Sequence, residues 1–250
     1  MVKLKHKILI ITAVWQRHDL TKVVLDYYGR MAASSDGRIS LLAVGSEGEV
    51  SRKMCESRGW AYTEFKNRPL SHKWSALVKE ARKMDFDFLV IAGSDDLLSR
   101  SLIEYYDRVY SADADYMLGL KDLYFYMMSS EESWHFHGYD VLKTIGAGRC
   151  LSRKVLDMCG WRPWYIYVIN RGLDTHCSRY LARCGVGERA VLMGQAAGVG
   201  IDIKHYDIAI TKEDRIIAKS TPSMNILEQW FPKEYEAVCE MMDKEALRCV

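Results

Sequence analysis

Two adjacent carboxylates, Asp95 and Asp96, follow Gly93 and Ser94 at the end of the apolar run Phe88-Leu89-Val90-Ile91-Ala92. In an open α/β sheet, ligands bind beyond the carboxyl ends of the strands. Two acids side by side at the end of a buried strand repel each other, and a divalent cation resolves that repulsion. Mg²⁺ or Mn²⁺ is a hard ion that takes one or two carboxylates and completes its shell with water and substrate phosphates. The pair therefore points to a nucleotide diphosphate held by a metal. Loop acids that merely face solvent are the competing reading.

The elements that must position the pair are legible from periodicity. Residues 8–14 form an apolar run, after which Leu20, Val23, Val24, Tyr27 and Met31 recur at helical spacing. Residues 39–44 give a second strand, Gly45-Ser46-Glu47-Gly48 a turn, and residues 49–58 a helix ending before Gly59. A strand at 60–65 leads into a helix carrying Trp74, Leu77, Val78 and Ala81. The run 86–92 precedes a helix with Leu102, Ile103, Tyr106 and Val109 on one face. Four strand-and-helix units in succession predict a parallel, helix-covered sheet. Beyond Ala114 the alternation breaks: strands are predicted at 116–120, 123–128, 143–151, 190–193 and 198–204, with helices at 153–159 and 173–184 and a polar helical tail over 223–247. The fold class is α/β, Rossmann-like with a mixed α+β second half. The predicted division is a catalytic domain over 1–221 (a nucleotide-binding half, 1–111, and an acceptor half, 112–221) and a helical appendage over 222–250.

Composition narrows the partners. With 250 residues, 49% hydrophobic and 27% charged, the chain buries a sizeable core, and disordered or collagen-like architectures are excluded. Lys plus Arg number 35 against 33 Asp plus Glu, a formal charge of +2 that does not demand nucleic acid or an anionic membrane. The longest apolar runs are strand-sized, so no transmembrane helix is predicted. The 7 cysteines are spread without a framework and predict a reducing, cytoplasmic setting.

The order Thr12-Ala13-Val14-Trp15, Leu41-Leu42-Ala43-Val44-Gly45-Ser46, Asn67 before Lys73-Trp74-Ser75-Ala76-Leu77, then Ser94-Asp95-Asp96 resembles the GT-A glycosyltransferases, in particular the inverting type-2 family. There Ser-Asp-Asp is a variant of the Asp-x-Asp signature. The resemblance continues through Gly146-Ala147-Gly148-Arg149, Gly172-Leu173-Asp174 and Ile201-Asp202-Ile203-Lys204-His205, covering roughly 7–206 as motif order. It implies a Mn²⁺- or Mg²⁺-dependent enzyme with a nucleotide-diphosphate sugar, a UDP-sugar first, as donor.

By that resemblance Asp96 is the principal metal ligand and His205 a late one, unless His205 is simply a surface residue ending a strand. Asp95 meets the donor ribose or a metal-bound water beside Ser94. Thr12, Ala13 and Trp15 line the base, although Trp15 also suits a core. Arg17, Lys73, Arg149 and Lys204 face phosphate charge, and Gly148 lets backbone approach the sugar, unless the glycines only bend a strand. The family's acid at the end of the second strand is missing, with Glu47 only afterwards. Inverting transfer needs a base for the acceptor hydroxyl. Asp174, opening a helix, takes that place, with a helix N-cap as the alternative role and Asp140 or Asp122 next in line.

A nucleotidyltransferase is the runner-up, although residues 12–17 contain no glycine for a phosphate loop. A non-catalytic nucleotide-sugar-binding protein is the other. A phosphatase of the haloacid-dehalogenase kind lacks its Asp-x-Asp nucleophile. His135 and His137 alternate on a strand face without a third ligand, and the aromatic segment 161–167 suits sugar rings, bases or a core. The acceptor is a glycan, a small molecule, a protein or a hydroxylated base in DNA, the last needing a basic groove from Arg149, Arg153, Lys154, Arg162 and Arg171. The apolar cluster Ile226, Leu227, Trp230 and Phe231 predicts a tail that packs on the domain or self-associates into a homo-oligomer.

Overall fold

The computed structural model describes residues 3–139, 144–164, 167–205 and 217–248. Its first half follows the predicted alternation: β1 (Ile8–Ala13), α1 (His18–Ala33), β2 (Ile39–Gly45), α2 (Glu49–Glu56), β3 (Ala61–Glu64), α3 (Leu70–Ala81) and β4 (Phe88–Ile91). Strands β4, β1, β2 and β3 lie side by side and parallel. Their runs are continuously apolar because both faces are covered. Ile8, Ile10, Leu41 and Val90 share one cluster with Val24 and Tyr28 of α1, whereas Leu9, Ile11, Leu42 and Leu89 join Leu77, Val78 and Ala81 of α3.

After β4 come β5 (Asp96–Leu98), α4 (Arg100–Val109), β6 (Tyr116–Leu120), β7 (Leu123–Met127), β8 (Glu132–Phe136), β9 (Cys150–Ser152), α5 (Arg153–Met158) and α6 (Leu173–Arg183). They are followed by β10 (Gly187–Val191), α7 (Met193–Ala196), β11 (Gly200–Lys204), β12 (Ser220–Ser223), α8 (Ile226–Trp230) and α9 (Pro232–Arg248). Two sheets result, with strand orders β10-β6-β9-β4-β1-β2-β3 and β12-β8-β7-β11-β5. Strand β9 is antiparallel to both β4 and β6 and joins the halves of the larger sheet.

Several expectations change. The strand predicted over 143–151 shrinks to Cys150–Ser152, because Gly146 to Arg149 turn rather than extend. Val109 ends its helix 43% exposed. Strand β5 was hidden, since three residues carry no period. The tail does pack on the rest: Leu227, Phe231, Val238 and Met241 enter the cluster that holds Tyr28, the Phe231 ring meets Tyr27 edge-on at 5.4 Å, and Arg30 pairs with Glu234. No described helix is long and apolar enough to cross a membrane.

Candidate functional site

Strand β4 ends at Ile91, and the turn Gly93-Ser94 carries the chain into β5. There Asp96 pairs in register with Asp202 of the antiparallel β11. A like-charged cross-strand pair is unfavourable on its own account. Asp95 completes the cluster, and one oxygen from each of Asp95, Asp96 and Asp202 lies within 4.8 Å of the others. Asp96 is buried, and its Oδ2 accepts from the Gly93 amide at 2.5 Å.

Two cations flank the acids. Arg17 projects from the loop after β1, where Gln16 and Arg17 both adopt left-handed backbone (φ 52° and 45°). Its guanidinium donates to Asp95 Oδ2 at 2.6 Å and to Ser94 Oγ at 3.3 Å. Lys204, two residues beyond Asp202 on the same strand face, pairs with Asp202 and sits 5.0 Å from the Phe125 ring centroid. Burial raises Asp95, but Arg17 and Lys204 outweigh it and hold this carboxyl below its ordinary range. Burial, then Asp202 and Asp95, push Asp96 well above that range. Burial likewise lifts Asp202 to about 6, against the pull of Lys204.

A sign for stability follows. Asp202 moves from an ordinary 3.8 to about 6, and Asp96 moves further in the same direction. Between the unfolded and folded values the folded chain holds more protons, so this contribution is complete at low pH and is lost as pH rises through about 6. Asp95 opposes it only below its ordinary 3.8. The metal-free melting temperature is therefore expected to rise as pH falls from about 7.5 to about 5.5. Calorimetry should show a smaller rise in Asp202→Asn, and an equal rise would assign the effect to other groups.

The cluster opens into a cavity of about 430 Å³ whose lining includes Asp95, Asp96, Asp202, Lys204 and Asp174. Trp74, Phe125, Tyr139 and Trp164 supply aromatic walls. Asp174 stands in the first turn of α6, whose N-cap is Gly172, so the N-cap role considered for Asp174 is not the one it has. Its Oδ2 instead accepts from the Gly146 amide at 3.1 Å. A Cβ on Gly146 would lie 2.3 Å from Asp174 Oδ1, so glycine is required there for the carboxylate to come this close.

The other expected site residues are distributed between the cavity wall and the interior. Arg149 is 1% exposed, and its guanidinium donates to Thr144 Oγ1 (3.1 Å), Thr144 O (3.0 Å), Ser178 Oγ (3.1 Å) and Asp174 O (3.0 Å). It ties the 144–149 turn to the start of α6 and forms part of the cavity wall. Gly148, at φ +76°, turns the chain against Leu120 and Tyr106 and is not among the residues lining the cavity. Lys73 is fully buried, donates to Val14 O and does not line the cavity. The Thr12 side chain is also fully buried, while Ala13 and Trp15 are half-buried at the end of β1. His205 follows the strand that brings Asp202 to the cluster and is not among the three grouped acids. The signal for Asp202 was the alternation Ile201-Asp202-Ile203-Lys204, apolar on one face and charged on the other.

Asp122 is buried between His135 Nε2 (2.8 Å) and the Met193 amide (2.9 Å), outside the cavity, and Asp140 lies outside the described residues. His135 and His137 face each other at 4.5 Å, with His137 on Thr221 Oγ1, and among the described residues they belong to no group able to hold a metal. Trp161 packs on Phe86 while Trp164 lines the cavity, dividing the aromatic segment between core and site; Tyr165 and Ile166 lie outside the described residues. The five basic residues expected to form a groove divide between the cavity wall and other contacts. Arg149 is engaged internally, Arg153 donates to Met84 O and lies over Phe86, Lys154 pairs with Asp115, and Arg171 alone of the five joins Arg149 in the lining.

The donor set fits a hard divalent ion. All three carboxylates offer oxygen, and Asp202 Oδ1 is a buried acceptor without a hydrogen-bond partner.

These features define a GT-A type fold: a largely parallel sheet between helices, with an acidic strand end opening into a cleft. The chain is similar to a mannosyltransferase from Pyrobaculum calidifontis solved in complex with GDP-Man and Mn²⁺. The match has a TM-score of 0.55 and 14% identity, covering 83% of this chain and 58% of that one. At that identity the likeness is one of fold. No protein-family profile and no curated protein matches the sequence. That structure holds GDP-Man, so the expectation of a UDP-sugar gains no support from it.

Proposed function

We propose that the protein is a metal-dependent glycosyltransferase of the inverting, family-2-like kind, moving a sugar from a nucleoside-diphosphate sugar to an acceptor hydroxyl. The observation that carries this reading is the meeting of Asp95, Asp96 and Asp202 at the carboxyl end of the sheet, in one cavity with Asp174. Asp96 and Asp202 would hold the cation, with Asp95 kept ionised beside them by Arg17. A bound divalent ion supplies positive charge to the departing diphosphate.

The chain's own groups supply the rest. Lys204 and Arg17 stand where they can meet phosphate oxygens once the acids are occupied. Asp174 accepts the proton of the acceptor hydroxyl as that oxygen bonds to the anomeric carbon. The bond from that carbon to the diphosphate oxygen breaks, and its electron pair leaves with the diphosphate. One displacement inverts the anomeric centre. Trp74, Tyr139 and Trp164 offer ring faces suited to a sugar.

Thermal stabilisation across a panel of UDP- and GDP-sugars, each with and without Mn²⁺ or Mg²⁺, tests the reading. Stabilisation that requires both metal and nucleotide is expected, together with slow metal-dependent release of nucleoside diphosphate. Binding without release would identify a non-catalytic binder. No stabilisation by any pair would overturn the proposal.

A further inference from the structure

Lys73 is a buried cation that the proposed chemistry does not use. It is fully enclosed within α3, and burial lowers its ammonium to about 8 against the opposing pull of Glu47 and Glu64. Its three hydrogen bonds go to Val14 O at 2.7 Å, Ser46 Oγ at 3.1 Å and Asn67 Oδ1 at 3.1 Å, and none of these acceptors is a carboxylate. Three N–H donors therefore meet three acceptors. An ammonium buried without a carboxylate partner is costly, and an apolar side chain of similar length would fill the same space at lower cost.

The acceptors occupy three different connections. Val14 follows β1, Ser46 follows β2 and Asn67 follows β3. These are the carboxyl ends of adjacent parallel strands, next to the strand whose end carries the acids. A second strut joins two of the same loops: Glu47 accepts from the Gln16 amide at 3.0 Å, His18 Nε2 at 3.1 Å and Ser51 Oγ at 3.3 Å. Half-buried Glu47 thus ties the loop after β2 to the start of α1 through one carboxylate oxygen.

We propose that Lys73 is a positioning residue: its ammonium draws the ends of β1, β2 and β3 together into the nucleoside side of the donor cleft and does not itself touch the donor. The inference rests on the donor reading given above. It carries a pH signature, because a neutral amine offers two N–H groups to three acceptors. Glu47, Glu64 and Cys55 act on the ammonium, Tyr62 donates to Glu64, and His18 stands behind Glu47. Burial raises Glu47, but the Gln16 amide and His18 outweigh it and hold that carboxyl below its ordinary range; burial pushes Cys55 up to about 12 and Tyr62 upward as well. None of those three changes charge between about pH 7.5 and 9.5, whereas Lys73 does.

The experiment is calorimetric titration of UDP and GDP, each with Mg²⁺, into wild type and Lys73→Met, with melting temperatures measured alongside. Lys73→Met should bind the nucleotide about tenfold more weakly or worse, while melting at the wild-type temperature or above it. Wild-type affinity should fall as pH rises from about 7.5 to about 9.5, and that dependence should vanish in the variant. If Lys73→Met does not fold, Asn67→Ala removes one acceptor and should weaken binding several-fold. Unchanged affinity in the folded variant, or a flat wild-type profile, overturns the proposal. A wild type that binds neither nucleotide overturns the donor reading itself, and the inference falls with it.

Discussion

Asp96→Asn is expected to make the metal-free protein more heat-stable while removing its affinity for Mn²⁺. The two effects share one cause. Asp96 is buried opposite Asp202 in a cross-strand pair, with Asp95 beside both, and its ionised form is disfavoured by burial and by those two neighbours. Asparagine keeps the shape, retains an oxygen for the Gly93 amide and adds a donor that can face an aspartate oxygen. Relief of roughly 1 kcal/mol shifts the melting temperature of a chain this size by about 2–4 °C. Losing a carboxylate from the ion's own shell should cost more than the 10–100-fold typical of outer partners, so an affinity loss of about 100-fold or more is expected. Electron paramagnetic resonance of free Mn²⁺ during titration reads the second effect, and scanning calorimetry the first. A variant that bound Mn²⁺ like wild type and melted lower would show these acids to be structural.

Asp202→Asn should act in the same direction, with a difference that the geometry explains. Asp202 also receives Lys204, so removing its charge leaves a buried ammonium with a weaker partner. The gain in metal-free stability should be smaller than for Asp96, or absent, while the loss of metal affinity remains.

Residues of this cluster divide into those specified by local sequence and those specified by distant pairing. Asp95 and Asp96 were legible because they adjoin in sequence at the end of an apolar run, and a parallel sheet places such ends in one cleft. Asp202 lies in the motif Ile201–His205, whose resemblance points to His205 as a ligand. What selects Asp202 is the pairing of β5 with β11, and a three-residue strand announces no register in advance. Lys73 and Arg149 show the converse case. A basic residue near a predicted phosphate site looks like a phosphate ligand by type alone. Only the three-dimensional path of the chain shows that Lys73 is consumed by three loops and Arg149 by Thr144, Ser178 and the Asp174 carbonyl. The alternating first half survived because each strand buries both faces and each helix one stripe. Its irregular continuation depended on glycine turns and short antiparallel pairings, which lack a period.

Asp174 presents the remaining decision, between a base and a stabilising acid. Because Gly172 is the N-cap, Asp174 lies two residues further into the helix than a cap would, and its carboxylate reaches across to Gly146 instead. An acid in the first turn gains about 0.3–1 kcal/mol from the helix dipole, which Asp174→Asn would forfeit while keeping an oxygen for the Gly146 amide. Asp174→Ala would also lose that hydrogen bond, worth about 1 kcal/mol. Neither substitution touches Asp95, Asp96 or Asp202, so metal and nucleotide affinity should stay near wild type in both. Turnover separates the roles. An amide cannot accept the acceptor's proton, so if Asp174 is the base both variants should lose a factor of about 10²–10⁴ in donor turnover at saturating donor and metal. If it only steadies α6, Asn should turn over nearly normally and Ala should fall in proportion to its loss of stability. Release of nucleoside diphosphate, measured beside urea denaturation of each variant, distinguishes the two. A rate for Asp174→Asn above about half of wild type would remove Asp174 from the chemistry and pass the role to another acid.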